Sequence, residues 1–126
     1  MREKITKWNT RRAKSGRNKG TEVTLGVHSG GADKDGTPIW RVVISFTPDA
    51  VHKITATEYM GAEIDRDLER LYFVSEDKAD GFKITNNANR KRIAFRTDVP
   101  QMWEMYKGSY YLLKDAAERL YYIDFK

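Results

Sequence analysis

The sequence predicts a mostly β protein with two short helices, an α+β fold, arranged as a pseudo-twofold barrel of two ββαββ repeats. Short segments alternate apolar and polar residues with the period of two that is typical of half-buried strands. The chain also repeats itself, because residues 69–74 (ERLYFV) match residues 118–123 (ERLYYI) at an offset of 49, which also aligns Ile44 with Ile93. A single ββαββ unit, which is less than half of the chain, cannot bury its own apolar faces, so we expect the two units to interlock.

Composition restricts the class of protein. With 126 residues and 40% hydrophobic content, the chain is long enough for one compact domain with its own core. It has no cysteine, which excludes a disulfide scaffold and any thiolate metal site. No apolar run is long enough to span a bilayer, and no apolar stretch follows the first basic residues. These features predict a soluble, cytoplasmic protein with no membrane partner.

Charge divides the chain into a flexible basic arm, residues 1–20, and a domain of two repeats, residues 21–126. The arm has a net charge of +7, residues 21–79 have −5, and residues 80–126 have +3. We place the repeats at residues 21–76 and 80–125. The arm shows no sustained periodicity, which is typical of an extended tail.

The first repeat opens with predicted strands at residues 21–29 and 37–46, separated by a glycine-rich loop. Thr47 and Pro48 then have the residue types that cap and begin a helix, which should end near residues 55–57. Strands at residues 59–65 and 70–75 follow, joined by a charged turn.

The second repeat should follow the same order. Strands are predicted at residues 82–85 and 90–96, with an asparagine-rich turn between them. Thr97 and Asp98 are expected to cap a helix over residues 99–107, which Gly108 ends. Residues 110–115 and 118–125 form the last predicted hairpin; a helix over residues 112–122 is the alternative, which the repeat disfavours.

The basic residues are the candidate nucleic-acid contacts, since lysine and arginine neutralise phosphates and release counterions. Trp8 could stack on a base. A solvated tail with Trp8 packed on the core is the alternative for the arm. The candidates in the arm are Arg2, Lys4, Lys7, Trp8, Arg11, Arg12, Lys14, Arg17 and Lys19, and those in the second repeat are Arg90, Lys91, Arg92 and Arg96.

The order of residues 41–45, a short helix, residues 62–65, a charged turn and residues 70–74 resembles the AbrB-type swapped-hairpin family. Two such units in one chain are similar to the tandem, MraZ-like members, with a cradle-loop barrel. The resemblance implies a DNA-binding regulator of transcription or an antitoxin. It also implies that basic residues on the first hairpin of each unit contact DNA. In the second unit these are Arg90, Lys91, Arg92 and Arg96; in the first, Lys34 and Arg41.

Candidate catalytic chemistry is weak, so we expect a binding protein and not an enzyme, with no cofactor and no metal. His28 and His52 lie far apart in the sequence and have no cysteine partners, which favours structural histidines. The carboxylates around residues 63–69 alternate along a strand and turn, which favours a solvated turn over a magnesium site. The glycine-rich loop at residues 30–36 lacks the further ligands of a calcium site.

The last hairpin is apolar on both faces, which predicts either an internal strand or an interface. Its candidate interface residues are Tyr110, Tyr111, Tyr121 and Tyr122. A homodimer seam, a site for a host protein, and an aromatic platform for unpaired bases are all open.

The leading hypothesis is therefore a small nucleic-acid-binding protein, with DNA favoured, that acts as a regulator through the basic arm and the Arg90–Arg92 hairpin. A protein-binding inhibitor or adaptor, using the acidic first repeat or the tyrosine-rich hairpin, is the alternative from another class. A single-stranded DNA-binding protein is the third.

Overall fold

The computed structural model describes residues 20–56 and 58–126. The predicted basic arm lies outside these residues except for Gly20, and its candidate contacts, Trp8 among them, lie outside with it. The described part is mostly β with two short helices, so the predicted class is confirmed. None of the helices in this part is long and apolar enough to cross a membrane.

The described elements are ten strands and two helices. The strands are β1 (Val23–Ala32), β2 (Pro38–Phe46), β3 (Tyr59–Asp65), β4 (Arg70–Glu76), β5 (Phe82–Lys83), β6 (Thr85–Asn87), β7 (Arg90–Thr97), β8 (Gly108–Tyr110), β9 (Leu113–Asp115) and β10 (Leu120–Asp124), and the helices are α1 (Pro48–Ile54) and α2 (Pro100–Tyr106).

The strands form two five-stranded sheets in which every pairing is antiparallel. The first sheet has the order β6-β7-β2-β1-β8, and the second has the order β5-β3-β4-β10-β9. The β2–β7 pair joins the two halves of the chain and places Ile44 directly opposite Ile93. Each sheet therefore contains strands from both predicted repeats.

One core lies between the inner faces of the two sheets. Alternate residues of β2, such as Ile44 and Phe46, are fully buried, as the period-two pattern predicts. Phe46 of the first sheet meets Phe73 of the second edge to face, with ring centroids 5.0 Å apart. Tyr106 of α2 stacks on Phe125 at 4.1 Å, which closes one end of the core.

Helix α1 forms as predicted, whereas the predicted cap of α2 is wrong. The Thr47 hydroxyl accepts a hydrogen bond from the Ala50 amide at 3.3 Å, and Pro48 occupies the first turn. Helix α2 instead begins at Pro100, and its N-cap residue, Val99, makes no side-chain cap. The Thr97 hydroxyl accepts from the Val99 amide at 3.0 Å, so it closes a turn before the helix and does not cap the first turn of the helix.

Two predicted strands are wrong, because each is divided between the sheets. Residues 110–115 split into β8, which pairs with β1, and β9, which pairs with β10. Residues 82–85 split in the same way, since β5 pairs with β3 and the following β6 pairs with β7. A segment that passes from one sheet to the other contributes apolar residues to the core from both sheets. Its sequence therefore resembles that of a single strand with two apolar faces. The alternative helix over residues 112–122 does not form.

The 49-residue offset of the sequence match between residues 69–74 and 118–123 differs by one residue from the spacing of the turns that precede them. Asp65 and Asp115 begin equivalent turns, and Tyr72 lies opposite Tyr122, which is an offset of 50. A shift of one residue exchanges the two faces of a strand. Several identical residues of the two segments therefore lie on opposite faces of the second sheet.

Candidate nucleic-acid interface

Charge in the described part separates by sheet more sharply than by repeat. The strands of the first sheet contain five basic residues and no acidic residue in the described chain, namely Arg41, Arg90, Lys91, Arg92 and Arg96. The strands of the second sheet contain five acidic residues (Glu63, Asp65, Glu76, Asp115 and Asp124) and three basic residues (Arg70, Lys83 and Lys114). All of the five except Lys91, which lies opposite buried Phe46, occupy outward positions, so the outward surface of the first sheet is cationic.

One row of this surface crosses three neighbouring strands. Arg41 lies opposite His28 on one side and opposite Arg96 on the other, so the three side chains project from the same face. Arg41 donates a hydrogen bond to the Gly30 carbonyl at 3.3 Å, which orients its guanidinium. Arg96 is exposed, and its side chain makes no hydrogen bond or ion pair with the described residues.

A second row lies four residues further along β7, which is about 13 Å at the usual strand rise. Here exposed Arg92 lies opposite Ser45 and Thr85, and Ser45 lies opposite Thr24. The Thr85 hydroxyl donates to the Arg92 carbonyl at 3.4 Å, whereas the Ser45 and Thr24 hydroxyls accept from Arg90 and can still donate to a phosphate oxygen.

The strip between the two rows is uncharged, and its side chains are short. Ala94, Val43 and Gly26 lie side by side across β7, β2 and β1. None of the three carries a long side chain, so a polyanion can approach the backbone of the sheet over Ala94 and Val43 and meet an arginine on either side. Over Gly26 it meets the His28 imidazole, whose Nε2 is 3.1 Å from the place of a Cβ atom. We define the cationic face as outward-facing His28, Arg41, Arg92 and Arg96 with Thr24, Ser45 and this strip.

Arg90 is among the predicted nucleic-acid contacts, and the structure places it among hydrogen bonds within the sheet. Its Nε donates to the Ser45 hydroxyl at 2.6 Å, and its Nη2 donates to the Ser45 carbonyl at 3.0 Å. Longer bonds from Nη2 reach the Glu22 carbonyl at 3.4 Å and the Thr24 hydroxyl at 3.5 Å. Arg90 therefore ties β7 to β2 and to the start of β1.

Lys91 is also engaged, unlike its neighbour Arg92. Its Nζ donates to the Asn86 side-chain oxygen at 2.6 Å, across the β6–β7 pair. Of the four predicted basic residues of this strand, Arg92 and Arg96 are thus the ones whose charged groups face outward without a partner among the described residues.

The chain enters the described region at the edge of the same sheet. Gly20 lies against the backbone of Tyr110 and Tyr111, and a Cβ atom there would be 2.4 Å from the Tyr111 amide nitrogen. Only glycine allows so close an approach. The basic arm is therefore joined to the domain beside β8, an edge strand of the cationic sheet.

The structure separates the four predicted interface tyrosines. Tyr110 is 1% exposed in the core, where its ring meets Phe125 edge to face. Tyr122 is 9% exposed on the outward side of the second sheet, Tyr121 is half-buried, and Tyr111 is 57% exposed. The four residues do not share one surface, so they do not form one aromatic platform.

The outward side of the second sheet contains a compact polar cluster. The Asp115 carboxylate accepts hydrogen bonds from Arg70 at 3.3 Å and from the Tyr72 hydroxyl at 3.1 Å. The Arg70 guanidinium also lies 4.3 Å from the centre of the Tyr122 ring. Backbone hydrogen bonding from Glu118, with smaller contributions from Tyr72 and the other donors, lowers the pKa of Asp115.

Carboxylates elsewhere are explained by turns. Glu76, Asp77 and Asp80 bring oxygen atoms within 4.8 Å of one another. However, the Asp77 carboxylate accepts the amides of Ala79 and Asp80 at 3.0 and 3.1 Å. This is an ordinary turn motif, and it accounts for the cluster.

Sequence reasoning missed His28, Thr24 and Ser45 as members of the surface, and it assigned Arg41 only through a resemblance. Their common signal is a polar residue at each outward position of a strand, but the strand order was needed to bring them together. Only the β2–β7 pairing shows that Arg41 and Arg96, which are 55 positions apart in the sequence, are neighbours.

Comparison with known proteins adds no relative. No family model matches the chain, and no curated protein and no solved structure matches it significantly.

Proposed function

We propose that this chain is a small nucleic-acid-binding protein, a DNA-binding regulator that uses the cationic face together with the basic arm. The observation that supports the proposal is the charge of the first sheet, whose described strands have five basic residues and no acidic one. The side chains of Arg92 and Arg96 form no ion pair with the described residues, and positive side chains of this kind attract a polyanion and release its counterions.

The geometry suits contacts with the phosphate backbone. The row with Arg41 and Arg96 and the row with Arg92 can each meet phosphates, while the neutral strip lets the ligand lie close to the sheet. Nearby hydroxyl groups supply uncharged donors. Arg90 acts indirectly, because its bonds to β2 and β1 fix the strands that carry the contacting residues.

Replacing both free arginines tests the proposal. The double variant Arg92→Gln and Arg96→Gln should bind a DNA duplex more weakly at low salt. The slope of log K against log salt should fall by about 0.9 for each phosphate that the variant no longer neutralises. Fluorescence anisotropy across a salt titration measures both quantities.

A matched control exchanges two basic residues outside the cationic face, Arg66→Gln and Lys114→Gln. It removes the same formal charge and should leave most of the affinity and slope intact. Equal losses in the two double variants would show that net charge, and not the cationic face, governs binding. Removal of residues 1–19 should lower the slope further, because the arm contains eight basic residues and one acid.

We also propose that the fold is a pseudo-twofold barrel of two ββαββ repeats related to the AbrB and MraZ-like proteins. Each half contains two hairpins and one short helix, and Ile44 pairs across β2–β7 with Ile93, the residue 49 positions later. A pair of equivalent residues facing each other is what a twofold axis between these strands requires. An experimental structure superposed on itself by this rotation tests the relation.

A protein-binding role is the second candidate, and one feature favours it. A groove of about 570 Å³ lies between the β3–β4 and β9–β10 turns, with Glu63, Asp67 and Glu118 among its lining residues and Leu68 44% exposed. An acidic groove with an apolar side chain suits a basic protein partner. If the chain bound no nucleic acid at low salt but captured one partner in a Glu118-dependent manner, this role would replace the first.

A further inference from the structure

A second groove adjoins the cationic face. It has a volume of about 630 Å³ and lies at the end of β2 and β7, between the β1–β2 loop and the start of α2. Its walls combine apolar and polar side chains, and the residues that matter below are Trp40, Arg96, Asp98, Pro100 and Gln101. Binding sites for small organic groups commonly have this size and mixture.

Arg96 is shared by the cationic face and the groove. It lies opposite Arg41 in the first row of the face, and the next pair along the two strands is Trp40 opposite Thr97. Neighbouring residues of a strand project from opposite faces, so Trp40 and Thr97 lie on the core side of the sheet, and Arg96 and Trp40 both line the groove because it lies at the ends of their strands. A nucleotide held by its phosphate at Arg96 can reach the groove with its base.

Aromatic side chains are distributed so that this groove is the place for a base. The outward positions of β1, β2 and β7 contain no Phe, Tyr or Trp in the described chain, since Trp40, Phe46 and Phe95 are on the core side of the sheet. Stacking on the cationic face is therefore limited to the His28 imidazole and the arginine guanidinium planes, which are smaller surfaces than an indole. Trp40 is only partly buried and lines the groove, and an indole is a large surface for base stacking.

The polar groups of the groove suit the edge of a base. The side chains of Asp98 and Gln101 are exposed and take part in no hydrogen bond with the described residues. A carboxylate can accept from an exocyclic amine, and an amide can both donate and accept. In contrast, the Asp33 carboxylate in the same wall already accepts the amides of Asp35 and Thr37, so it shapes the loop.

We propose that this groove binds one unpaired nucleobase of a nucleic acid whose backbone lies on the cationic face, with Trp40 as the stacking surface and Asp98 and Gln101 at the base edge. The inference rests on the proposed function, because Arg96 must hold a phosphate for the base to be delivered. It assigns to the site a ligand with an unpaired base, such as a duplex with an overhang, over a blunt duplex.

The test compares a blunt DNA duplex with the same duplex carrying a three-nucleotide overhang. The full chain is used with Trp8→Phe, so that the remaining tryptophans are Trp40 and Trp103, which is 6% exposed in the core. The duplex with the overhang should quench tryptophan fluorescence and should bind more tightly than the blunt duplex. The blunt duplex should leave the fluorescence unchanged. Trp40→Leu should abolish the quenching and weaken overhang binding by about fivefold or more.

Gln101→Ala guards against a folding defect in the Trp40 variant, since Gln101 is exposed on α2. It should weaken binding of the overhang ligand and leave binding of the blunt duplex unchanged, while Glu118→Ala on the second sheet should change neither. Equal affinity for both ligands, or no quenching by the overhang, would overturn the base groove and leave the cationic face intact. Failure of both ligands to bind at low salt would overturn the proposed function itself.

Discussion

Two arginines on β7, Arg90 and Arg92, should have different roles. Changing Arg90 to methionine should lower the stability of the fold and leave the salt dependence of DNA binding unchanged, whereas changing Arg92 to methionine should do the reverse. Arg90 donates two hydrogen bonds to Ser45, at 2.6 and 3.0 Å, and longer ones to Glu22 and Thr24. Arg92 is exposed and bonds to no described residue through its side chain. Methionine keeps much of the length of arginine but removes its charge and donors.

The magnitude follows from these hydrogen bonds. Hydrogen bonds to a charged group contribute about 1.5–3 kcal/mol, so Arg90→Met should lower the free energy of unfolding by roughly that amount. Arg92→Met should change it by less than about 0.5 kcal/mol, as is usual for a surface substitution. Urea unfolding followed by circular dichroism measures both values.

For DNA binding, Arg92→Met should have the larger effect of the two variants. Arg92→Met should reduce the salt slope by about 0.9, because this variant neutralises one phosphate fewer. Arg90→Met, measured under conditions where it is fully folded, should keep the slope of the parent chain. If Arg92→Met proved the more destabilising, or if Arg90→Met alone lowered the slope, the division between a structural and a contacting arginine would be wrong.

Three further predictions concern stability. Hydrogen bonding holds the pKa of Asp115 below its ordinary value of 3.8, so the resulting stabilisation is present above that pH and is lost as the pH falls through the folded-state pKa. Asp115→Asn should therefore make the free energy of unfolding less dependent on pH in acid, and an unchanged pH profile would contradict this. Thr47→Ala should cost about 0.5–2 kcal/mol by removing the α1 cap, and Thr97→Ala, which caps no helix, should cost less in the same urea assay. Phe46→Ala should cost about 3–5 kcal/mol, since Phe46 is fully buried against Phe73, and a cost under about 1 kcal/mol would show that the sheets do not enclose one core.

Local patterns predicted the parts of the fold that depend on local physics. The β1–β2 and β3–β4 hairpins follow from period-two alternation, and α1 follows from Thr47 and Pro48 at its start. In each case one segment buries one face, so residue identity alone determines which side turns inward.

The remaining features depend on contacts between distant segments. Residues 108–115 change sheets after Tyr110, and no residue type marks that point, because both sheets supply an apolar environment. The left-handed backbone of Ala88 and Arg119, with φ of 54° and 58°, is likewise set by the hairpins and not by residue preference.

The sequence predicted part of the candidate site. A high density of arginine in residues 90–96 indicated a polyanion site, and two of the four basic residues named there face outward without a partner in the described chain. The role of Arg90 and the addition of Arg41 and His28 required the pairing of β7 with β2 and of β2 with β1. Side-chain direction can be predicted from alternation, but the neighbouring strand cannot.

The central claim is that nucleic acid binds to the outward surface of the first sheet. Two-dimensional NMR of the ¹⁵N-labelled chain, titrated with a short DNA duplex at low salt, tests it most directly, because each amide and arginine Nε reports its own surroundings. The claim predicts shifts concentrated at Arg41, Arg92, Arg96 and the amides of the strip from Gly26 to Ala94, with little change in β3, β4 and β10. Shifts concentrated in the β3–β4 and β9–β10 turns, with the first sheet unaffected, would contradict it.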